Sequence, residues 1–332
     1  MTKRYLALIL AAGLASAAQG STLSSEFSSY YAFGDSLSDD GKAPALPAPS
    51  VGGRFSNGPV YAEIIGDVFT AARLPEFNFA FGGATAGDLN DNDLVTPPAL
   101  SVPFGTFGRQ VNTFLTSGAA VVAGDTPLVS VLFGANDFLQ NASEADFNPV
   151  AVARKVVENI KEISKIANFD NFLVFNLPDF SLIPASSGLS DVERAALRGG
   201  TQLFNATLAA ELAALRAVDD PSLKFEIFDL FGEFNRLLAQ AGDLNLRLDG
   251  ICTPRIVDPT DFNICPTAEV ADAFFFVDGV HPNRIVHAEI AETVIAGLDG
   301  LPTPVPLPAA LPFLLMGLGG FGLVAARRSR KV

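Results

Sequence analysis

The sequence predicts an α/β sandwich built around a parallel sheet, and three observations carry the prediction. Short apolar or aromatic runs recur at 30–33, 77–81, 128–133, 172–176 and 224–228, as strands buried on both faces require. The segments 60–72, 150–167 and 191–217 between them place apolar residues at helical spacing. The Pro-rich stretch 43–49 and the Pro/Gly-rich stretch 96–108 interrupt these blocks without dividing them, so both read as loops on one domain of about 280 residues. Alternation of strand and helix favours a parallel sheet, which binds ligands beyond the carboxyl ends of its strands.

The chain opens with Met1-Thr2-Lys3-Arg4, an apolar stretch from Tyr5 to Ala15 and small residues at Ala15 to Ala18. Basic start, apolar middle and small-residue end define a secretory signal peptide over residues 1–20. At the far end, Thr303-Pro304-Val305-Pro306-Leu307-Pro308 precedes an uncharged apolar run, 309–326, and a basic cluster at Arg327, Arg328, Arg330 and Lys331. About 18 apolar residues suffice for a transmembrane helix. The basic cluster would stay cytoplasmic and leave the body across the membrane.

The first strand leads into Gly34-Asp35-Ser36-Leu37, which places Ser36 at the carboxyl edge of the sheet, where the chain is expected to turn into a helix. Amides at such a helix start favour developing negative charge. Ser38 stands two residues on, so the Gly-x-Ser-x-Gly elbow of another hydrolase fold does not apply. A serine hydroxyl needs a base, usually histidine, to become a nucleophile. The chain has two histidines, His281 and His287. His281 lies in Asp278-Gly279-Val280-His281-Pro282, where a turn on Gly279 would return the Asp278 carboxylate to the imidazole and fix its tautomer. His287 falls within an amphipathic helix and reads as a packing or surface residue.

These segments, with Asn78-Phe79-Ala80-Phe81-Gly82-Gly83-Ala84-Thr85 and Gly134-Ala135-Asn136-Asp137, resemble the blocks of the GDSL, or SGNH, hydrolase family. The strings at 53–59, 176–179 and 204–208 resemble its bacterial lecithinase and haemolysin-like branch, and the likeness extends over residues 33–296 within a domain bounded at 27–300. The resemblance implies a flavodoxin-like three-layer α/β/α domain with a five-stranded parallel sheet. It also implies an oxyanion hole made by the Ser36 amide, the Gly83 amide, with Gly82 as the competing register, and the Asn136 side chain. Acyl transfer to water through Ser36, His281 and Asp278 follows, and this chemistry needs no cofactor. Lipid esters, short-chain esters and acetylated glycans all stand as substrates. An acyltransferase with the same triad and a non-catalytic envelope or matrix adhesion protein on the same fold are the rival classes. The string Val305 to Ala310 and the tail behind it, 303–332, resemble the VPLPA variant of PEP-CTERM sorting signals, which implies an exosortase-type protease as partner and a destination in the cell envelope or outside a Gram-negative cell.

Of the 22 Lys and Arg, six lie in the two end segments, which leaves 16 basic residues against 36 acidic ones in the body. Such a surface repels phosphate backbones and argues against nucleic-acid binding. Cys252 and Cys265, the only cysteines, bracket a polar segment in a compartment that permits disulfides, and a bond between them is expected. No second Cys or spaced His accompanies either one, which disfavours a metal site. Asp88 to Asp93 tempts a calcium reading, but Asp93 stands where an EF-hand loop needs glycine, so the segment reads as a solvated loop.

Overall fold

Five parallel strands in the order β2-β1-β3-β4-β5 form the central sheet of the computed structural model. The structure describes residues 22–42, 46, 49–87, 105–142, 146–252, 265 and 267–299. The expected signal peptide, the sorting tail with its 309–326 span and the acidic run 88–93 lie outside the described residues. Among the described residues no helix is long and apolar enough to cross a membrane.

In chain order, α1 (Leu23–Glu26) and β1 (Ser29–Gly34) are followed by α2 (Tyr61–Ala71), β2 (Glu76–Asn78), α3 (Phe107–Ser117) and β3 (Pro127–Leu132). Next come α4 (Ala135–Asn141), α5 (Pro149–Ser164), β4 (Asn171–Phe175), α6 (Asp191–Ala214), β5 (Lys224–Phe228) and α7 (Leu230–Ala239). A small parallel pair, β6 (Arg247–Ile251) and β7 (Phe274–Phe276), flanks α8 (Ala268–Ala271), and α9 (Arg284–Leu298) closes the domain. Cys252 and Cys265, beside β6, are joined as a disulfide with Cα atoms 5.1 Å apart. The 13-residue separation would lower unfolded-chain entropy by an amount worth about 3 kcal/mol.

Alternation along β1 assigns the layers. Successive strand side chains point to opposite faces. Tyr30 stacks on Phe69 of α2, whereas Tyr31 and Phe33 meet Phe114 of α3. Helix α2 packs on α9, and α3 packs on α5, which packs on α6. The result is the three-layer α/β/α sandwich with a five-stranded parallel sheet that the family resemblance implied. Phenylalanine fills much of the core: Phe33, Phe79, Phe107, Phe114 and Phe133 form one connected set of rings.

Three local expectations change. Strand β2 covers only Glu76–Asn78, although the Phe79 and Phe81 amides still donate to Ala32 O and Gly34 O, at 2.8 and 3.0 Å. The stretch 96–108 does not remain loop to its end, because Thr106 Oγ1 caps α3 by accepting from the Arg109 amide at 3.2 Å. The helix expected directly after Ser36 is a single turn, with Ser38 and Asp39 amides donating to Asp35 O at 3.0 Å. The Asp39 carboxylate ends that turn by accepting from the Gly41 and Lys42 amides at 2.9 and 2.8 Å.

Candidate active site

Ser36, Gly82, Gly83 and Asn136 follow the carboxyl ends of the three adjacent strands β1, β2 and β3. Ser36 is 8% exposed and sits in the turn after β1. Ahead of it, Gly34 is clamped by Gln110, whose Oε1 accepts from its amide at 3.1 Å and whose Nε2 donates to its carbonyl at 2.8 Å. Behind it, Ser38 Oγ bonds Tyr61 Oη at 2.8 Å, which locks the turn onto α2.

His281 comes from the other end of the chain. Its Nε2 lies 2.7 Å from Ser36 Oγ and its Nδ1 lies 2.7 Å from Asp278 Oδ2. The turn expected at Gly279 closes when Asp278 Oδ1 accepts from the Val280 and His281 amides, both at 2.8 Å. Burial opposes charge on the imidazole, but the Asp278 carboxylate outweighs it and holds His281 above its ordinary pKa. Burial likewise opposes charge on Asp278, and His281 with the two amides holds that carboxyl below its ordinary value. In this arrangement Ser36 can pass its proton to His281 while Asp278 balances the imidazolium.

The sequence left two registers for the glycine donor, and the two amides differ in their hydrogen bonds. The Gly82 amide donates to Asp39 Oδ2 at 2.8 Å. The Gly83 amide, at φ 83°, has no hydrogen-bond partner among the described residues. That left-handed backbone is accessible to glycine at little cost. Asn136 Nδ2 donates one hydrogen to Ala84 O at 2.9 Å and retains a second. A small cleft, about 30 Å³, is lined by Ser36, Asn136 and His281 together with Leu37, Phe180 and Val280. Gly83 lies outside this lining but is tied to it, through Ala84 to Asn136 and through Gly82 and Asp39 to the Ser36 turn.

Several side chains that build the site escaped the sequence reading. Asp39 links the Ser36 turn to Gly82, and its only signal was a second acidic residue just past Ser36. The string at 53–59, matched to the family without a role, grips the histidine loop. The Phe55 ring lies 5.1 Å from that of His281, and a Cβ on Gly82 would stand 2.0 Å from the Phe55 ring. Ser56 Oγ donates to Pro282 O at 3.2 Å, and Asn57 Oδ1 accepts from the Arg284 amide at 2.8 Å. The strings at 176–179 and 204–208 also meet: Asn205 accepts from the Leu177 amide at 2.8 Å and donates to its carbonyl at 2.9 Å. Asp35 is buried, and one carboxylate oxygen has no hydrogen-bond partner among the described residues. Burial pushes its pKa up to about 7, with the nearby Asp137 adding to the rise.

His287 takes the packing alternative. It is buried on α9, accepts from the Tyr61 amide at 3.3 Å through Nδ1, and is pushed down to about 3 by burial and by the charge of His281. Among the described residues no cluster of three or more His, Cys, Asp or Glu side chains is placed to hold a metal ion.

Comparison with known proteins places the chain in a family. The family model described as GDSL-like lipase/acylhydrolase matches residues 30–294, so the chain belongs to that family. The phosphatidylcholine-sterol acyltransferase of Aeromonas hydrophila is 32% identical over 226 residues, covering 63% of this chain and 61% of that protein. The chain thus spans less than two thirds of the length of this relative. Among solved structures, an acetylxylan esterase from Geobacillus stearothermophilus aligns with a TM-score of 0.44 at 11% identity, over 84% of this chain and 97% of that one. Phospholipase A1 from Streptomyces albidoflavus aligns with a TM-score of 0.36 at 18% identity, over 74% and 95%.

Proposed function

We propose that this protein is an exported serine esterase that cleaves carboxylic esters through an acyl-enzyme. The observation that carries the reading is the unbroken hydrogen-bond chain from Asp278 through His281 to Ser36, beside an amide and an amide side chain with hydrogens to spare. His281 Nε2 takes the Ser36 proton as Oγ attacks the ester carbonyl. The Ser36 and Gly83 amides and the Asn136 side chain stabilise the oxyanion. His281 then returns the proton to the departing alcohol, and water, deprotonated by His281, releases the acid and restores Ser36. Asp278 holds the imidazole and its charge throughout.

Export rests on the order of charges and apolar residues in 1–20 and 303–332 around a body bounded at 27–300. In this reading an exosortase-type protease handles the tail, and the 309–326 span holds the protein at the membrane until then. The acyltransferase relative favours a second reading, in which an alcohol replaces water in the last step. Hydrolysis of p-nitrophenyl acetate, with and without added glycerol, tests both. Hydrolysis lost in Ser36→Ala supports the esterase, and a glycerol ester as main product supports the transferase. Equal inertness of folded wild type and variant, on phospholipid and acetylated glycan as well, contradicts both and leaves the adhesion role.

A further inference from the structure

The cleft at Ser36 has room for only a short acyl group, at about 30 Å³, and two larger cavities share lining residues with it. One, of about 520 Å³, shares Leu139 and Phe180 with the cleft. The other, of about 760 Å³, meets it at Ile183. Both volumes fall in the range of small-molecule sites. They differ in how much of the cleft's lining they share, two residues against one.

The smaller cavity is an aromatic and aliphatic groove. Phe138 forms its floor, with Phe147 and Phe180 rings at 4.9 and 5.4 Å from it, and Leu189 and Leu197 complete the walls. Its lining carries only two polar side chains, Ser186 and Glu193. Ser186 Oγ donates to Phe180 O at 2.6 Å, and the Glu193 carboxylate accepts from the Ser190 amide and hydroxyl at 2.7 and 2.6 Å. A sugar would find few partners for its hydroxyls there, which is costly, whereas a hydrocarbon chain needs none. The groove is also built into the site. Leu139 lies one turn beyond Asn136 on α4, is 44% exposed and lines both the groove and the cleft. The Ala185 amide in the groove wall donates to Gly279 O at 2.8 Å, which pins that wall to the loop bearing Asp278 and His281. The larger cavity carries Asp249, Ser181 and Ser187 among its lining and touches the cleft at one residue.

We propose that the groove between α4, α6 and residues 180–189 holds the acyl chain of the substrate, so that the natural ester is that of a medium or long fatty acid. This rests on the esterase reading of Ser36. Each methylene buried in the groove then raises kcat/KM by up to about fourfold, until the groove is filled. On the outer lip, Ala196 and Gly200 of α6 face it, and a Cβ at Gly200 would stand 3.3 Å from the Phe138 ring.

The test compares kcat/KM on p-nitrophenyl esters from acetate to palmitate for wild type, Ala196→Phe and Gly200→Leu in the groove, and Ala239→Phe in the larger cavity, with folding checked by circular dichroism. Dodecanoate binding to Ser36→Ala, alone and with each groove substitution, is measured by calorimetry. The proposal expects wild type to prefer octanoate over acetate, either groove substitution to cut that preference at least tenfold, and Ala239→Phe to leave it intact. It expects the groove substitutions to weaken dodecanoate binding at least tenfold as well. Cleaved esters with a preference and a dodecanoate affinity that ignore folded groove variants would overturn the acyl groove while the esterase stands, and a loss in Ala239→Phe instead would move the chain to the larger cavity. Groove-dependent dodecanoate binding by a wild type inert toward every ester would keep the groove and overturn the esterase.

Discussion

Two histidines six residues apart teach what burial alone does not decide. His281, on the loop before α9, and His287, inside that helix, are both withdrawn from water, with His281 retaining only 13% side-chain exposure. Burial pushes both toward the neutral form. His281 nevertheless stands above its ordinary pKa, because Asp278 faces it at 2.7 Å, whereas His287 drops to about 3 with no carboxylate to oppose burial and the His281 charge nearby. One has a counterion and a serine in reach. The other is a ring that fills space and accepts one amide hydrogen bond.

Substitution of both residues breaks the comparison most sharply. We expect His281→Gln to lower kcat on p-nitrophenyl acetate by a factor on the order of 10⁵ to 10⁶. His287→Gln, corrected for any unfolded fraction, should cost less than about tenfold, since it touches no reacting atom. Similar losses in the two folded variants would erase the distinction.

The next largest effect isolates the carboxylate. Asp278→Asn should lower kcat by about 10⁴-fold, because the imidazole loses both tautomer control and charge balance. His281 must be neutral to act as the base, so wild-type kcat/KM should rise with pH through a midpoint above 6.5. The midpoint should fall in Asp278→Asn, where burial acts without its counterweight. An unchanged midpoint would show that another group sets the protonation of His281.

The smallest effect lies in stability. The folded pKa of His287 is depressed, so its contribution is present above about 6.5 and is lost as pH falls toward about 3, by at most about 1.4 kcal/mol per pH unit. The destabilisation caused by His287→Gln, measured by urea unfolding, should therefore shrink from pH 7 to pH 4. A pH-independent difference would mean that His287 takes up a proton within the fold.

How much of this could be read in advance follows the same physics. The strands β1, β3 and β4 were legible because a parallel sheet covered on both faces needs apolar runs, whereas β5, also expected to be buried on both faces, is the edge strand and leaves Lys224 and Glu226 exposed. Ser36, Asp278 and His281 were legible because local motifs carry them, and the structure places their side chains in one chain of hydrogen bonds. Less visible were contacts between segments far apart in sequence. Nothing local to Phe55, Ser56 or Asn57 shows that they hold a loop more than 200 residues away. Nothing near Gly82 shows that Asp39 occupies its amide and leaves that of Gly83 without a partner among the described residues. The helix expected after Ser36 was overstated because Asp39 ends the turn with its own side chain, a local competition that periodicity does not register.

The central claim is that Ser36 is the nucleophile because His281, rather than His287, activates it. Labelling with a fluorophosphonate probe, followed by peptide mapping, tests it most directly. The account predicts a single adduct on Ser36 in the wild type and in folded His287→Gln, and none in Ser36→Ala or His281→Gln. An adduct on another serine, or no adduct on folded wild type, would contradict it.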